Sequence, residues 1–281
     1  MKNSYLVQKI GMRNLIALVF LFNMYQLHAQ KNIDGLINAE KSFAAYSVQN
    51  GTKDAFLKFV DSSGIVFDQG KAKNGTEVWS KREKRPSVLN WHPQFAEIAA
   101  SSDLGYTTGP WTFQSNANND TILARGQYIT VWHIDGNNEW KFLVDLGVGN
   151  TPANSSHDVK KIDAPKIIGK PNIEDVVKAE QNFIDAYKQD KLNAYKKYLA
   201  AQSILNRNGH LPATEKNDQA NFIAETPNNI QFSIEGSGIA SSGDVAYVYG
   251  NTDINDKKEN YLHVWRNEKS GWKLALEVLR Y

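Results

Sequence analysis

Three residues in the first half of the chain are placed to exchange protons: Asp68, His92 and His133. His133 stands in "YITVWHI", and after the polar stretch "DGNNE" the run "WKFLVDLG" carries Asp145. If Asp135 to Glu139 form a turn, Ile134 faces Trp140, and Tyr128, Thr130 and Trp132 line up with Leu146, Val144 and Phe142 on one face. His133 and Asp145 then share the other face. An Asp–His pair could act as a general base there, or could serve as a solvated or interfacial ion pair. His92, in "NWHP", falls where a strand would enter a sheet and could reach a cavity. Asp68 follows "GIVF" and precedes "QG", a setting that suits either a pocket carboxylate or a turn-forming Asp.

Aromatic side chains are numerous around these groups. Trp79, Trp91, Tyr106, Trp111, Tyr128 and Trp132 could line a ligand cavity together with Asp145, or simply fill a core. Other chemistries find no support. The six histidines show no metal-ligand spacing, and no H-x-H or H-E-x-x-H occurs, so no metal site is expected. Neither a G-x-S-x-G elbow nor a phosphate or dinucleotide loop is present, so no cofactor is expected either. With no cysteine in the chain, thiolate catalysis, disulfides and lipid attachment through Cys are excluded.

The elements that would position these residues are written twice. "INAEKSFAAYS" aligns with "VKAEQNFIDAY", "IAASSDLGYTTG" with "IASSGDVAYVYG", and the hairpin from Tyr128 with "YLHVWRNEKSGWKLALEVLRY". Ala39, Glu40 and Phe43 fall on Ala179, Glu180 and Phe183. Asp103, Tyr106 and Gly109 fall on Asp244, Tyr247 and Gly250. Trp132 and Trp140 fall on Trp265 and Trp272. Constant order with gaps in loops is the mark of an internal repeat. Helical spacing appears first in each copy, with Leu36, Ala39, Phe43 and Ser47 on one face, and Glu40 and Glu180 are placed on the exposed side or near a strand amide. Thr52 offers a cap for a second helix. "GTEVWSKR" and "TEKNDQANFI" suit a third, and strands follow. The fold class is therefore α+β: two tandem cone-shaped domains, each with three N-terminal helices on a curved antiparallel sheet. The domains are expected at residues 30–150 and 171–281, with a linker at 151–170 rich in Pro, Gly, Ser and Asn.

On "AExxF", "DLGYTTGPWTF" and "YITVWHIDGNNEWKFLVD", each copy resembles the nuclear transport factor 2-like superfamily, and within it the SnoaL-like group with its many domains of unknown function. The resemblance implies a cone that commonly dimerises through its sheet. It implies no single chemistry, since isomerases, dehydratases, cyclases and pure binding modules share the fold.

Neither face of the hairpin is plainly polar, so each sheet needs two covers: its own helices and another sheet. Two copies in one chain could pair their sheets internally, or the chain could form a homodimer. "MKNSYLVQKIGMRN", the apolar run "LIALVFLFNMY" and "QLHAQ" form a bacterial-type secretory leader over residues 1–29, so export to the periplasm or beyond is expected. Without the leader, 29 bases stand against 30 acids. Such a balance gives no footprint for nucleic acid or a membrane surface. In the second copy Arg207, Ser233 and Arg266 stand where the first has Asp68, His92 and His133, so any ligand is expected in the first. Catalysis and binding both remain open: a small, partly apolar ligand held in the first cone, a cofactor-free isomerase, dehydratase or hydrolase, or an assembly module.

Overall fold

The computed structural model describes residues 30–118, 121–150 and 157–281, so the leader expected over residues 1–29 lies outside the described residues. The chain is α+β. It opens with α1 (Ile33–Asn50), whose first turn is capped by the Asn32 side chain accepting from the Gly35 amide at 2.8 Å. Gly51, at φ 92°, breaks the chain into α2 (Thr52–Phe59). Thr52 is thus the first helical residue, not the cap, and its hydroxyl lies 3.3 Å from that of Ser47. There follow β1 (Val60–Asp68), β2 (Lys71–Asn74), α3 (Gly75–Lys81), β3 (Val88–Trp91), β4 (Phe95–Ile98), β5 (Leu104–Gln114), β6 (Ile122–Ile134), β7 (Trp140–Gly149) and the two-residue β8 (Lys160–Lys161).

The second half repeats this order with α4 (Ile173–Gln189), α5 (Lys191–Tyr198), β9 (Leu199–Arg207), α6 (Lys216–Glu225), β10 (Gln231–Ile239), β11 (Val245–Ile254), β12 (Lys257–Glu268) and β13 (Gly271–Leu279). The first sheet runs β2-β1-β7-β6-β5-β4-β8 with β3 also on β5, and the second runs β10-β11-β12-β13-β9. Pairing is antiparallel except where β1 joins β7, β9 joins β13, and β8 joins β4. Those strands follow a helix or a long connection and return in the same direction as their neighbour. Gly109 and Gly250 recur for one reason: a Cβ at either would run into the carbonyl oxygen of the adjacent strand, His92 or Ser233.

Each sheet lays one face on its own helices. Phe43, Phe56, Tyr128, Trp132 and Phe142 form that core in the first half; Phe183, Tyr195, Tyr261, Trp265 and Leu274 form it in the second. The opposite faces meet each other. Ile129, Val131, Val144 and Leu146 pack with Tyr247, Leu262, Val264, Leu276 and Val278 in one shared cluster. Each such aliphatic side chain gains roughly 1.5–3 kcal/mol on leaving water. The turns at the rim of this joint clasp one another: the Ala100 amide donates to Asp244 at 2.9 Å, the Ser241 amide to Asp103 at 3.1 Å, and the Ser101 and Ser242 hydroxyls meet at 2.8 Å. The connecting segment is partly built in. Lys160 and Ile162 donate to the carbonyls of Gln94 and Ala96, and Ile162 and Ala164 are buried in the joint.

The hairpin register corrects the sequence expectation. Ile134 does face Trp140 and Trp132 faces Phe142, but a bulge at Leu143 then pairs Val131 with Val144 and Thr130 with Asp145. Beyond that point every β7 side chain changes face relative to the unbulged pairing. His133 and Asp145 therefore do not share a face. The second half has the same shift, between Val264 and Trp265, which pairs His263 with Glu277.

Candidate functional site

The bulge turns Asp145 into the mouth of the first cone. A cavity of about 240 Å³ opens there, walled by Phe43, Phe56, Leu89, Trp91, Trp111 and Tyr128, with Asp145, Gly147 to Gly149 and Arg280 at its edge. Helices α1 and α2 supply the two Phe rings, β3 supplies Leu89 and Trp91, strands β5 to β7 supply Trp111, Tyr128, Asp145 and Gly147 to Gly149, and Arg280 follows β13. The Asp145 carboxyl accepts one hydrogen bond, from the Thr130 hydroxyl at 2.8 Å. Burial pushes its pKa up to about 6, against the pull of Thr130 and Arg280. Beside it, the buried Tyr128 hydroxyl makes no hydrogen bond of standard geometry, and burial holds its pKa well above the usual phenol value.

Glu40 supports the cavity from beneath. Of the two positions expected for it, the exposed helix side is excluded, since Glu40 is fully buried. It accepts from the Trp91 indole N–H at 2.5 Å, from the Trp132 indole N–H at 2.8 Å, and from the Thr107 hydroxyl. One carboxylate thus ties α1 to β3, β5 and β6 and fixes the rotamers of two tryptophans. Burial pushes its pKa up to about 7, with the three donors opposing that rise. A signal for this role was present in the sequence: Leu36, Glu40, Phe43 and Ser47 sit at helical spacing on one face, as do Val176, Glu180, Phe183 and Tyr187.

Of the residues singled out from sequence, Trp91, Trp111, Tyr128 and Asp145 meet at the cavity. Trp132 lies below it, bonded to Glu40. Tyr106 points the other way: strand alternation sends Thr107 into the cone and Tyr106 into the joint, where its hydroxyl donates to Glu97 at 3.1 Å. Trp79 stacks on Phe56 at 4.1 Å with Arg82 over its ring, outside the cavity lining. Asp68 pairs with Lys73 at 2.7 Å at the sheet edge, a contact that holds its pKa below the usual carboxylate value. His133 lies 2.9 Å from Asp61. His92 lines a separate groove with Arg125 and Lys160, its ring 4.3 Å from that of His157. The cavity residues that the sequence did not suggest are Phe43, Phe56, Leu89, Gly147 to Gly149 and Arg280. The last arrives from the end of the second half, which no local pattern could announce.

The second cone holds the same frame with a different interior. Glu277 takes the place of Asp145 in the register and Tyr261 that of Tyr128. Here three groups satisfy the carboxylate: the Tyr195 hydroxyl at 2.8 Å, His263 at 2.8 Å, and the Arg207 guanidinium. His263 also lies 3.0 Å from Glu180, which accepts from the Trp265 indole at 2.7 Å. Arg207 and His263 hold the Glu277 pKa down to about 2 in spite of burial. The two carboxylates flanking His263 raise its pKa to about 9, again in spite of burial. This interior carries its own counter-ions.

Neither the known family models nor the curated proteins match the chain. Solved structures do resemble parts of it. A nuclear transport factor 2-like protein of unknown function from Shewanella oneidensis is 16% identical with a TM-score of 0.32, the match covering 39% of this chain and 98% of that one. Nuclear transport factor 2 from Cryptosporidium parvum is 14% identical with a TM-score of 0.35, covering 41% of this chain and 98% of that one. A ketosteroid isomerase-like protein from Erwinia carotovora atroseptica is 16% identical with a TM-score of 0.33, covering 38% and 93%.

Proposed function

We propose that the chain is an exported tandem SnoaL-like protein, with domains at 30–150 and 171–281, that binds a small, largely apolar molecule in the cone of the first domain. The observation that carries this reading is the contrast between Asp145 and Glu277. Glu277 is closed off by Arg207, His263 and Tyr195. Asp145 stands at an aromatic-walled cavity with Thr130 as its one hydrogen-bond partner among the described residues. An apolar pocket with a few convergent polar groups is the usual form of a small-molecule site. A thermal-shift and tryptophan-fluorescence screen of small apolar compounds tests it. Hits should quench Trp91 or Trp111 emission and lose affinity when Leu89→Trp narrows the cavity. A screen without saturable binding, or hits indifferent to Leu89→Trp, would remove the reading.

A second reading rests on Asp145 itself. With a pKa of about 6, the carboxyl can take and return a proton near neutral pH. Placed by the buried Tyr128 phenol, it fits cofactor-free acid–base chemistry such as isomerisation or dehydration. Turnover would then rise with pH through about 6 as Asp145 ionises, and Asp145→Asn would abolish it while leaving binding in place.

A further inference from the structure

The last turn of chain brings a cation to this cavity. Arg280 follows β13, its amide donating to the Asn260 carbonyl at 3.1 Å and its own carbonyl accepting from the Thr252 hydroxyl at 2.6 Å. The backbone is clamped on both sides, so the side chain is delivered across the joint to the first half. There Nε donates to the Gly147 carbonyl at 2.8 Å and Nη2 donates to the same oxygen. No carboxylate of the described residues forms a close ion pair with it; Glu259 and, more weakly, Asp145 favour its charge from a distance, and Asp145 is bonded to Thr130. The guanidinium is half-buried, and burial holds its pKa below the usual arginine value in spite of these two carboxylates.

We propose that Arg280 makes the cavity of the first half a site for a small apolar monocarboxylic acid, bound as its carboxylate. The inference rests on the ligand-binding reading above and names the class of ligand. Guanidinium and carboxylate match as planar partners, and such charge-assisted hydrogen bonds are short and strong. The walls of Phe43, Phe56, Leu89 and Trp91 take the apolar body. An apolar cavity of about 150 Å³ accommodates benzene, so about 240 Å³ fits a single ring with a short acidic arm. With one cation at the mouth and Asp145 facing the same space, a second negative charge would be repelled. Diacids and phosphate esters are therefore disfavoured. Arg280 has no mirror image: Val148 occupies the matching place in the first half, so the joint serves one cavity only.

Titration calorimetry on the full chain with benzoate and phenylacetate, each against its neutral partner benzamide or phenylacetamide, tests this. The acids should bind the unaltered protein about tenfold or more tighter than the amides. Arg280→Gln should erase the preference of acid over amide, and Arg280→Lys should keep part of it. Equal affinities in the unaltered protein, or a preference that survives Arg280→Gln, would overturn the assignment to acids while leaving a cavity that binds small apolar molecules. If neither class binds, the ligand-binding reading fails and this inference fails with it. The comparison within the unaltered protein decides the matter even if a variant folds poorly.

Discussion

Arg266 forks onto Glu97 across the joint between the two sheets, its Nε and Nη2 each 2.6 Å from a carboxylate oxygen, with both side chains 1% exposed. Tyr106 adds a hydrogen bond to the same carboxylate. Without Glu97, the buried Arg266 keeps Glu268, 3.0 Å from its Nη1, as its remaining close charge partner among the described residues, so Glu97→Ala should cost about 3 kcal/mol in urea denaturation. Replacing both with apolar residues of similar size should cost far less. The sequence placed any ligand in the first copy, away from Arg266. With Arg266 at the joint, the first expectation for Arg266→Ala is damage to the fold, and binding has to be normalised to the folded fraction.

Glu40 makes a sharper prediction about the first cone. Glu40→Ala leaves the Trp91 and Trp132 indole N–H groups and the Thr107 hydroxyl buried without an acceptor. Each such group costs about 1–3 kcal/mol. Glu40→Gln keeps a carbonyl for two of them and should be clearly milder. A melting temperature equally low for both substitutions would show that the charge, and not the acceptor count, is what matters.

The sequence displayed the repeat, the hairpins and the need for a second cover on each sheet, because apolar alternation on both faces is written directly in "YITVWHI" and "YLHVWRN". It offered Trp79, Trp91, Tyr106, Trp111, Tyr128, Trp132 and Asp145 as either cavity lining or core, and of these Trp91, Trp111, Tyr128 and Asp145 line the cavity. It could not display the bulge at Leu143, since an extra apolar residue in an apolar run leaves no trace in composition. That single insertion separates Asp145 from His133 and brings it to Thr130. Arg280 was hidden for another reason: its contact with Gly147 spans the whole chain and depends on how two sheets pack.

The charged interior of the second cone predicts a pH window. Glu277 is held down to about 2 from an ordinary 4.5, so its contribution is full above 4.5 and is lost as pH falls toward 2. His263 is raised to about 9 from 6.5, so its contribution is full below 6.5 and is lost as pH rises through 9. The urea midpoint of the second half should therefore fall on both sides of the interval from 4.5 to 6.5. His263→Gln should flatten the alkaline limb. A midpoint that holds level to pH 10 in the unaltered chain would mean that His263 is neutral in the folded protein.

Finally, the joint predicts the oligomeric state. Ile129, Val131, Val144 and Leu146 are covered by Leu262, Val264, Leu276 and Val278 of the same chain, and the Asp103 and Asp244 turns satisfy one another. The surface through which a lone cone would dimerise is already occupied. The full chain should run as a monomer at micromolar concentration in light scattering, and residues 30–150 expressed alone should dimerise or aggregate through the uncovered face. Val131→Asp separates this from general stickiness. In the isolated half it should restore a monomer by making the face polar, whereas in the full chain it should destabilise by burying a carboxylate against Val264. A full chain that forms a tight dimer insensitive to this substitution would show that association runs through a different surface.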